Sequence, residues 1–150
     1  NGLKFADLKA HPRAGKWSIQ EIVVHLADAE VMGSARVRQA FAEPGSTVVV
    51  YNQEIWAKEM AYQEYDTKTF YASLMMFDAL RLANTKLFRR AGAADWEKFI
   101  VHGEWGNISL RQLLELYADH SERHIEQILT LRELLGKPLN FKLLLEKRLY

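Results

Sequence analysis

Apolar residues recur along this chain at helical spacing, most regularly near its end. Leu113, Tyr117, His120, His124, Ile128, Leu131 and Leu135 fall three or four residues apart. That is one stripe of an α-helix, the stripe that faces a core. Ser109-Leu110-Arg111-Gln112 opens this helix as a capping box with glutamine in place of glutamate, and Gly136 and Pro138 end it. A second stripe, Ile22, His25, Leu26, Ala29 and Met32, follows the capping box Ser18-Ile19-Gln20-Glu21, with Trp17 and Ile22 placed for a hydrophobic staple. This helix should run to about residue 41 and stop at Glu43-Pro44-Gly45-Ser46. A third helix begins at Asp66 or Thr67 and ends near Arg90, with Gly92 as its stop. Its inward positions are Phe70, Leu74, Phe77, Leu80 or Arg81, Thr85 and Phe88. A shorter helix over roughly residues 52–62 turns Ile55, Trp56 and Met60 inward.

The segments between are read as connectors. Residues 1–16 carry His11-Pro12 and Gly15 and form a loop, with Leu3, Phe5 and Leu8 able to anchor a short turn on the body. Thr47-Val48-Val49-Val50-Tyr51 has strand propensity, but no partner strand is evident, so an extended connector is expected. Residues 93–108, around Trp96, His102, Gly103, Trp105 and Gly106, form a loop. The tail, residues 139–150, is apolar and basic, with Leu143, Leu144 and Leu145 in a row. Together these segments make one all-α domain over residues 1–150.

Composition narrows the function classes. A net charge of +1 gives no electrostatic case for nucleic acid. No apolar run approaches the roughly 20 residues that span a bilayer. There is no cysteine, which excludes a disulfide scaffold, a thiolate metal site and a catalytic thiol, and fits a cytoplasmic location. The chain starts at Asn1, which leaves a removed leader or further residues open.

The chemistry rests on histidine. His120 and His124 lie one turn apart on an inward stripe, close enough to share a metal ion. The alternative is a pair of core imidazoles satisfied by carboxylates. His25 lies on the inward stripe of a second helix, and three imidazoles are the ligand count of a catalytic metal site with an open position. His11 is expected in solvent. His102 is a weaker candidate near the site mouth, with a surface position as its default. The residue after His120 is Ser121, so this is not the metalloprotease pattern, which places its general-base glutamate there. Asp119 and Glu122 should lie off the metal-facing stripe. Asp28 and Tyr117 are weak catalytic candidates, a surface carboxylate and a core tyrosine being the plainer readings. Glu21 explains itself as a cap, and Gln127 could line the site.

Trp17-Ser18-Ile19-Gln20-Glu21-Ile22 leading to His25-Leu26, with a distant His120-x-x-x-His124 and Gln127-Ile128, resembles the DinB-like superfamily from about Gly15 to about Asn140. Trp56 and residues 106–110 resemble it too. The resemblance implies a four-helix bundle of up-down type with long connections, frequent homodimers, and a divalent metal on His25, His120 and His124. Zinc, nickel or iron would suit such ligands. It implies activation of water or of an external low-molecular-weight thiol at the metal, as in a hydrolase or a thiol S-transferase acting on a small molecule. The alternative is a non-catalytic stress-response protein whose metal stabilises the bundle. The family usually has a long helix before the Trp-Ser element, and residues 1–16 are too short and broken to supply it. Either that helix lies outside these residues, or the helix near Trp56 or the tail fills its place; a partner chain could also fill it. That gap and the apolar tail together suggest a homodimer.

Overall fold

Two serines start the two helices on which the fold is built. Ser18 Oγ accepts from the Glu21 backbone at 3.2 Å, and Glu21 returns the bond by accepting from the Ser18 backbone at 2.8 Å. Ser109 and Gln112 repeat the exchange at 3.2 and 2.8 Å. The structure, a computed structural model, describes residues 2–140. In order it contains α1 (Phe5–Lys9), α2 (Ile19–Ala42), β1 (Thr47–Val48), α3 (Gln53–Glu59), α4 (Thr67–Arg89), β2 (Phe99–His102), β3 (Gly106–Ser109) and α5 (Leu110–Leu134). Short 3-10 turns lie at Tyr62–Glu64 and Ala93–Glu97. Asp66 caps α4 by accepting from the Thr69 backbone at 2.8 Å. α5 ends in a Schellman motif: Lys137 donates to Arg132 and Gly136 to Glu133, with Gly136 at φ +68°, a conformation that favours glycine.

The fold is a helical bundle of the four-helix type with long connections, and α2 is its spine. One apolar cluster joins Ile19, Ile22, Val23 and Leu26 of α2 to Phe70 of α4 and Leu131 of α5. The other joins Val37 and Ala40 of α2 to Val48, Ile100, Ile108, Leu110 and Leu113, with Leu87 and Phe88 packed against it. The start of α4 and the end of α5 thus meet the start of α2. So α4 runs parallel to α2, and α5 runs antiparallel to both. The connection through β1, α3 and a 3-10 turn makes the parallel pair possible. Among the described residues α2, α4 and α5 are the long helices. No described helix is long and apolar enough to cross a membrane.

Between the two apolar clusters lies a polar layer. Glu30, buried on α2, accepts from Arg81 of α4 at 2.6 and 3.0 Å and from Asn84 at 2.8 Å. Arg81 also reaches Ser121 of α5 at 2.8 Å, and Asn84 reaches Ser34 at 2.7 Å. Glu30 is buried while Arg81 is half-buried, so the pair adds little net stability, but removing the arginine would leave a buried carboxylate short of a partner. The effect of the pair here is to fix the relative heights of three helices.

Several expectations are corrected. β1 has a partner after all: Thr47 and Val48 pair in parallel with Val101 and His102, fifty-odd residues away in sequence. Residues 93–108 are not a loop, since β2 and β3 form an antiparallel hairpin, Phe99 opposite Ser109. Residues 1–16 include the helical turn α1, and Leu3, Phe5 and Leu8 do pack against the first cluster. Ile55 and Met60 are exposed, because α3 is short and lies on the surface. Leu74 is exposed as well, and the buried line of α4 runs instead through Phe70, Ser73 and Asn84. Gly92 follows α4 with extended dihedrals and opens the next turn. The tail around Leu143 to Leu145 lies outside the described residues.

Gly33 of α2 leaves room for the ring of Tyr117 from α5. A Cβ there would stand 2.6 Å from the ring of Tyr117, a contact that real Cβ atoms do not make. Gly33→Ala should therefore lower stability by about 1–3 kcal/mol, although alanine is the better helix former by about 1 kcal/mol. Urea unfolding of both proteins checks this, and an alanine variant as stable as the parent would contradict it.

Candidate metal centre

Because α2 and α5 are antiparallel, the early turns of α2 face the later turns of α5. His25 comes from two turns inside α2, and His120 and His124 come from successive turns of α5. Nε2 of His120 stands 3.1 Å from Nε2 of His25 and 3.2 Å from Nε2 of His124. The ligand atoms of all three rings lie within 4.8 Å of one another. Two imidazole nitrogens on one tetrahedral zinc ion stand about 3.3 Å apart, given Zn–N distances of about 2.0–2.1 Å. The rings are thus spaced as neighbouring corners of such a site. Among the described residues no cysteine, carboxylate or fourth imidazole joins the group.

The hydrogen bonds of the rings make the same point. His124 Nδ1 stands 3.0 Å from Gln127 Oε1, which can only accept, so the Nε2 of His124 carries a lone pair. His25 Nδ1 is buried without a partner. If His25 donates from Nε2 to His120, the lone pair of His124 faces another lone pair. If His25 holds its proton on Nδ1, that buried N–H has no acceptor. Neutral rings alone leave Nε2 lone pairs opposed or unshared, whereas a cation takes all three Nε2 lone pairs at once. The Nδ1 of His25 lacks the acceptor that usually orients a metal-bound imidazole. The ring is held instead by packing, with the Trp17 ring at 4.9 Å and that of His124 at 4.8 Å.

Burial sets the protonation. It pushes His25 down to about 3, with His120 and His124 as further causes, and His120 down to about 4. His124 is lowered too, again chiefly by burial. All three are therefore neutral near pH 7, as ligands must be.

The other candidates fall as follows. Glu21 is engaged in the cap of α2. Asp28 accepts a hydrogen bond from the Tyr62 hydroxyl, and burial raises its pKa. Tyr117 accepts from Arg36 at 3.1 Å. His11 is exposed, with its Nδ1 2.9 Å from the Lys16 carbonyl. Asp119 pairs with Arg123, and Glu122 is half-buried. His102 is corrected: it is buried at 3 % exposure and stacked on Trp105 at 4.3 Å, because it ends β2 and not a loop. Two clefts open on the histidines. One of about 590 Å³ is lined by His124 together with Trp17, Arg123 and Gln127. The other, about 330 Å³, is lined by His120 together with Arg36, Tyr51, His102, Trp105 and Tyr117. Gln53 borders both. Arg36 went unnoticed in the sequence, where an arginine on a helix reads as solvated. Its position beside Val37 of the apolar stripe was the available signal.

Residues 1–128, which include all three histidines, match the sequence profile of the DinB superfamily. The chain belongs to the DinB superfamily. It is 32% identical over 124 residues to a Bacillus mycoides protein named "Putative metal-dependent hydrolase", covering 83% of this chain and 69% of that one. It is 28% identical over 119 residues to an Oceanobacillus iheyensis protein of the same description, covering 79% and 67%. Its fold is similar to that of YfiT from Bacillus subtilis, described as "a probable metal-dependent hydrolase with an unusual four-helix bundle topology". That likeness has a TM-score of 0.81 at 24% identity, over 90% of this chain and 76% of YfiT.

The depressed histidines make stability depend on pH. Unfolded, each imidazole takes up a proton near pH 6.5; folded, each does so lower. As pH falls below about 6.5 the unfolded state binds more protons, so stability is fully present above that pH and declines towards the folded values. In chelator-treated protein, urea unfolding at pH 7.5, 6 and 5 should show progressive loss. His25→Gln should flatten the slope, and equal slopes in the two proteins would contradict the assignment.

Proposed function

We propose that His25, His120 and His124 hold one divalent metal ion and that this DinB-superfamily chain is a metal-dependent hydrolase of a small molecule. The observation that carries the reading is the convergence of three neutral imidazoles, with His120 Nε2 at tetrahedral-edge spacing from the Nε2 atoms of both His25 and His124. The description of its relatives as metal-dependent hydrolases supports it. Zinc, nickel and iron all suit an all-imidazole set, and availability would decide among them. Bound there, such an ion supplies Lewis acidity and a water acidic enough to act as a nucleophile near neutral pH. The chain's own contribution is to keep the imidazoles unprotonated by burial, to fix the tautomer of His124 through Gln127, and to offer the two clefts for a substrate. A thiol S-transferase would use the same centre with an external thiol, since the chain has no cysteine to provide one.

Thermal unfolding with and without added metal tests the site. Metal at 100 times its dissociation constant should stabilise the parent by about 2.7 kcal/mol. His124→Ala should stay helical, because Leu113, Ile128 and Leu131 keep its helix packed, but should lose that gain. An equal gain in both proteins would show that His124 is not a ligand. Ester hydrolysis and thiol conjugation, assayed on the same two proteins, separate the hydrolase from the transferase. A metal-dependent gain with neither activity would favour a metal that only stabilises the bundle.

A homodimer is proposed as well. Tyr71, Met75 and Leu82 lie on one face of α4 and are 56%, 72% and 72% exposed. Exposed apolar side chains gathered on one helix face, here around Asp78, commonly mark a contact site. Light scattering at micromolar concentration should give twice the mass of the chain, and Met75→Asp should halve it. A monomeric parent would overturn the proposal.

A further inference from the structure

Arg36 is a buried cation with no counter-ion. It is 6% exposed, and among the described residues no carboxylate lies within ion-pairing distance. Its partners are neutral: Nη1 donates to the Tyr117 hydroxyl at 3.1 Å and Nη2 to the Val49 carbonyl at 2.9 Å. Nε is buried with no acceptor. A guanidinium has five N–H donors, and most of those of Arg36 are unused. Burying a charge without a partner is costly, so such a group calls for an explanation.

The surroundings supply one. Arg36 lines the 330 Å³ cleft that His120 also lines, whose walls include Tyr51 and the stacked His102–Trp105 pair. The one acidic side chain on that lining, Glu104, is exposed at the rim. Tyr117 accepts from Arg36, so its own hydroxyl proton remains to be donated, and no described residue takes it. Tyr117 stands three residues before His120, about 4.5 Å of helical rise. A planar fork plus a hydroxyl matches one carboxylate, and aromatic walls suit a flat apolar body behind it.

We propose that this cleft binds the carboxylate end of the substrate, with Arg36 and Tyr117 as its anchor, and so sets the substrate class as a small carboxylic acid with an apolar or aromatic body. The assignment rests on the hydrolase reading for the word substrate, but not for the binding. The carboxylate meets Arg36 and Tyr117, and the remainder of the molecule lies among the other walls of the cleft, which include His120. Arg36 then has the negative partner that its burial calls for.

Calorimetric titration tests this with benzoate and its uncharged analogue benzamide, in chelator-treated and in metal-supplemented protein. Benzoate should bind the parent about tenfold or more tightly than benzamide in both forms, the range expected for hydrogen bonds to a charged group. Tyr117→Phe, which keeps the ring against Gly33, should cost benzoate about tenfold and benzamide little. Arg36→Met should abolish the preference. Equal affinity for the two probes would overturn the proposal. So would benzoate binding that needs metal and is unchanged in Tyr117→Phe, because the carboxylate would then sit on the metal. The chelator-treated arm reads the anion site even if the metal assignment fails, and the metal-dependent thermal shift reads the metal site even if this one fails.

Discussion

The structure depends on the approach of α2 to α5. Three imidazoles can meet only if two antiparallel helices lie close enough, and at the right height, for His25 to face the gap between His120 and His124. Gly33 permits the approach by leaving room for the Tyr117 ring. The Glu30–Arg81 pair, extended to Ser121 and Asn84, fixes the height by tying both helices to α4. These polar contacts contribute little net stability, since buried ion pairs generally repay little more than their desolvation. They act on register, where a shift of one residue along α2 would turn His25 by about 100° away from its partners. Stability comes from the two apolar clusters at either end, and position comes from the layer between them.

Burial then does the chemical work. The same exclusion of water that packs His25 against Trp17 keeps its imidazole unprotonated, and it leaves nitrogen lone pairs facing one another with too few protons to share. Such a cluster is unsatisfied by itself and complementary to a cation. Membership of the DinB superfamily and the resemblance to relatives described as metal-dependent agree with that reading, and the local physics leads to it without them. The β hairpin and α3 complete the setting by walling the clefts on either side.

Much of this was legible in the sequence because it is written locally. Both capping boxes name their own residues, and the stripes through His25 and through His120 and His124 have a period that needs no knowledge of the rest of the chain. What was not legible depends on distant partners. Thr47-Val48 has strand character, but its partner lies beyond a whole helix, and a two-residue parallel strand leaves no periodic signal. With that pairing unseen, His102 reads as a loop residue although it closes a strand and is buried. On α4 the inward line runs through Ser73, Arg81 and Asn84, so counting apolar residues placed Leu74 inside when the polar layer had taken the buried positions. Arg36 escaped for the same reason: a helical arginine is ordinarily solvated, and only the three-dimensional setting shows otherwise.

The central claim is that the three-histidine cluster is a metal centre. X-ray absorption at the metal edge, on protein purified without an affinity tag and loaded with one equivalent of zinc, addresses it directly. The account predicts three imidazole nitrogens in the inner shell at about 2.0–2.1 Å, falling to two in the His25→Ala variant. A shell of oxygen ligands alone, or a spectrum that His25→Ala leaves unchanged, would contradict it.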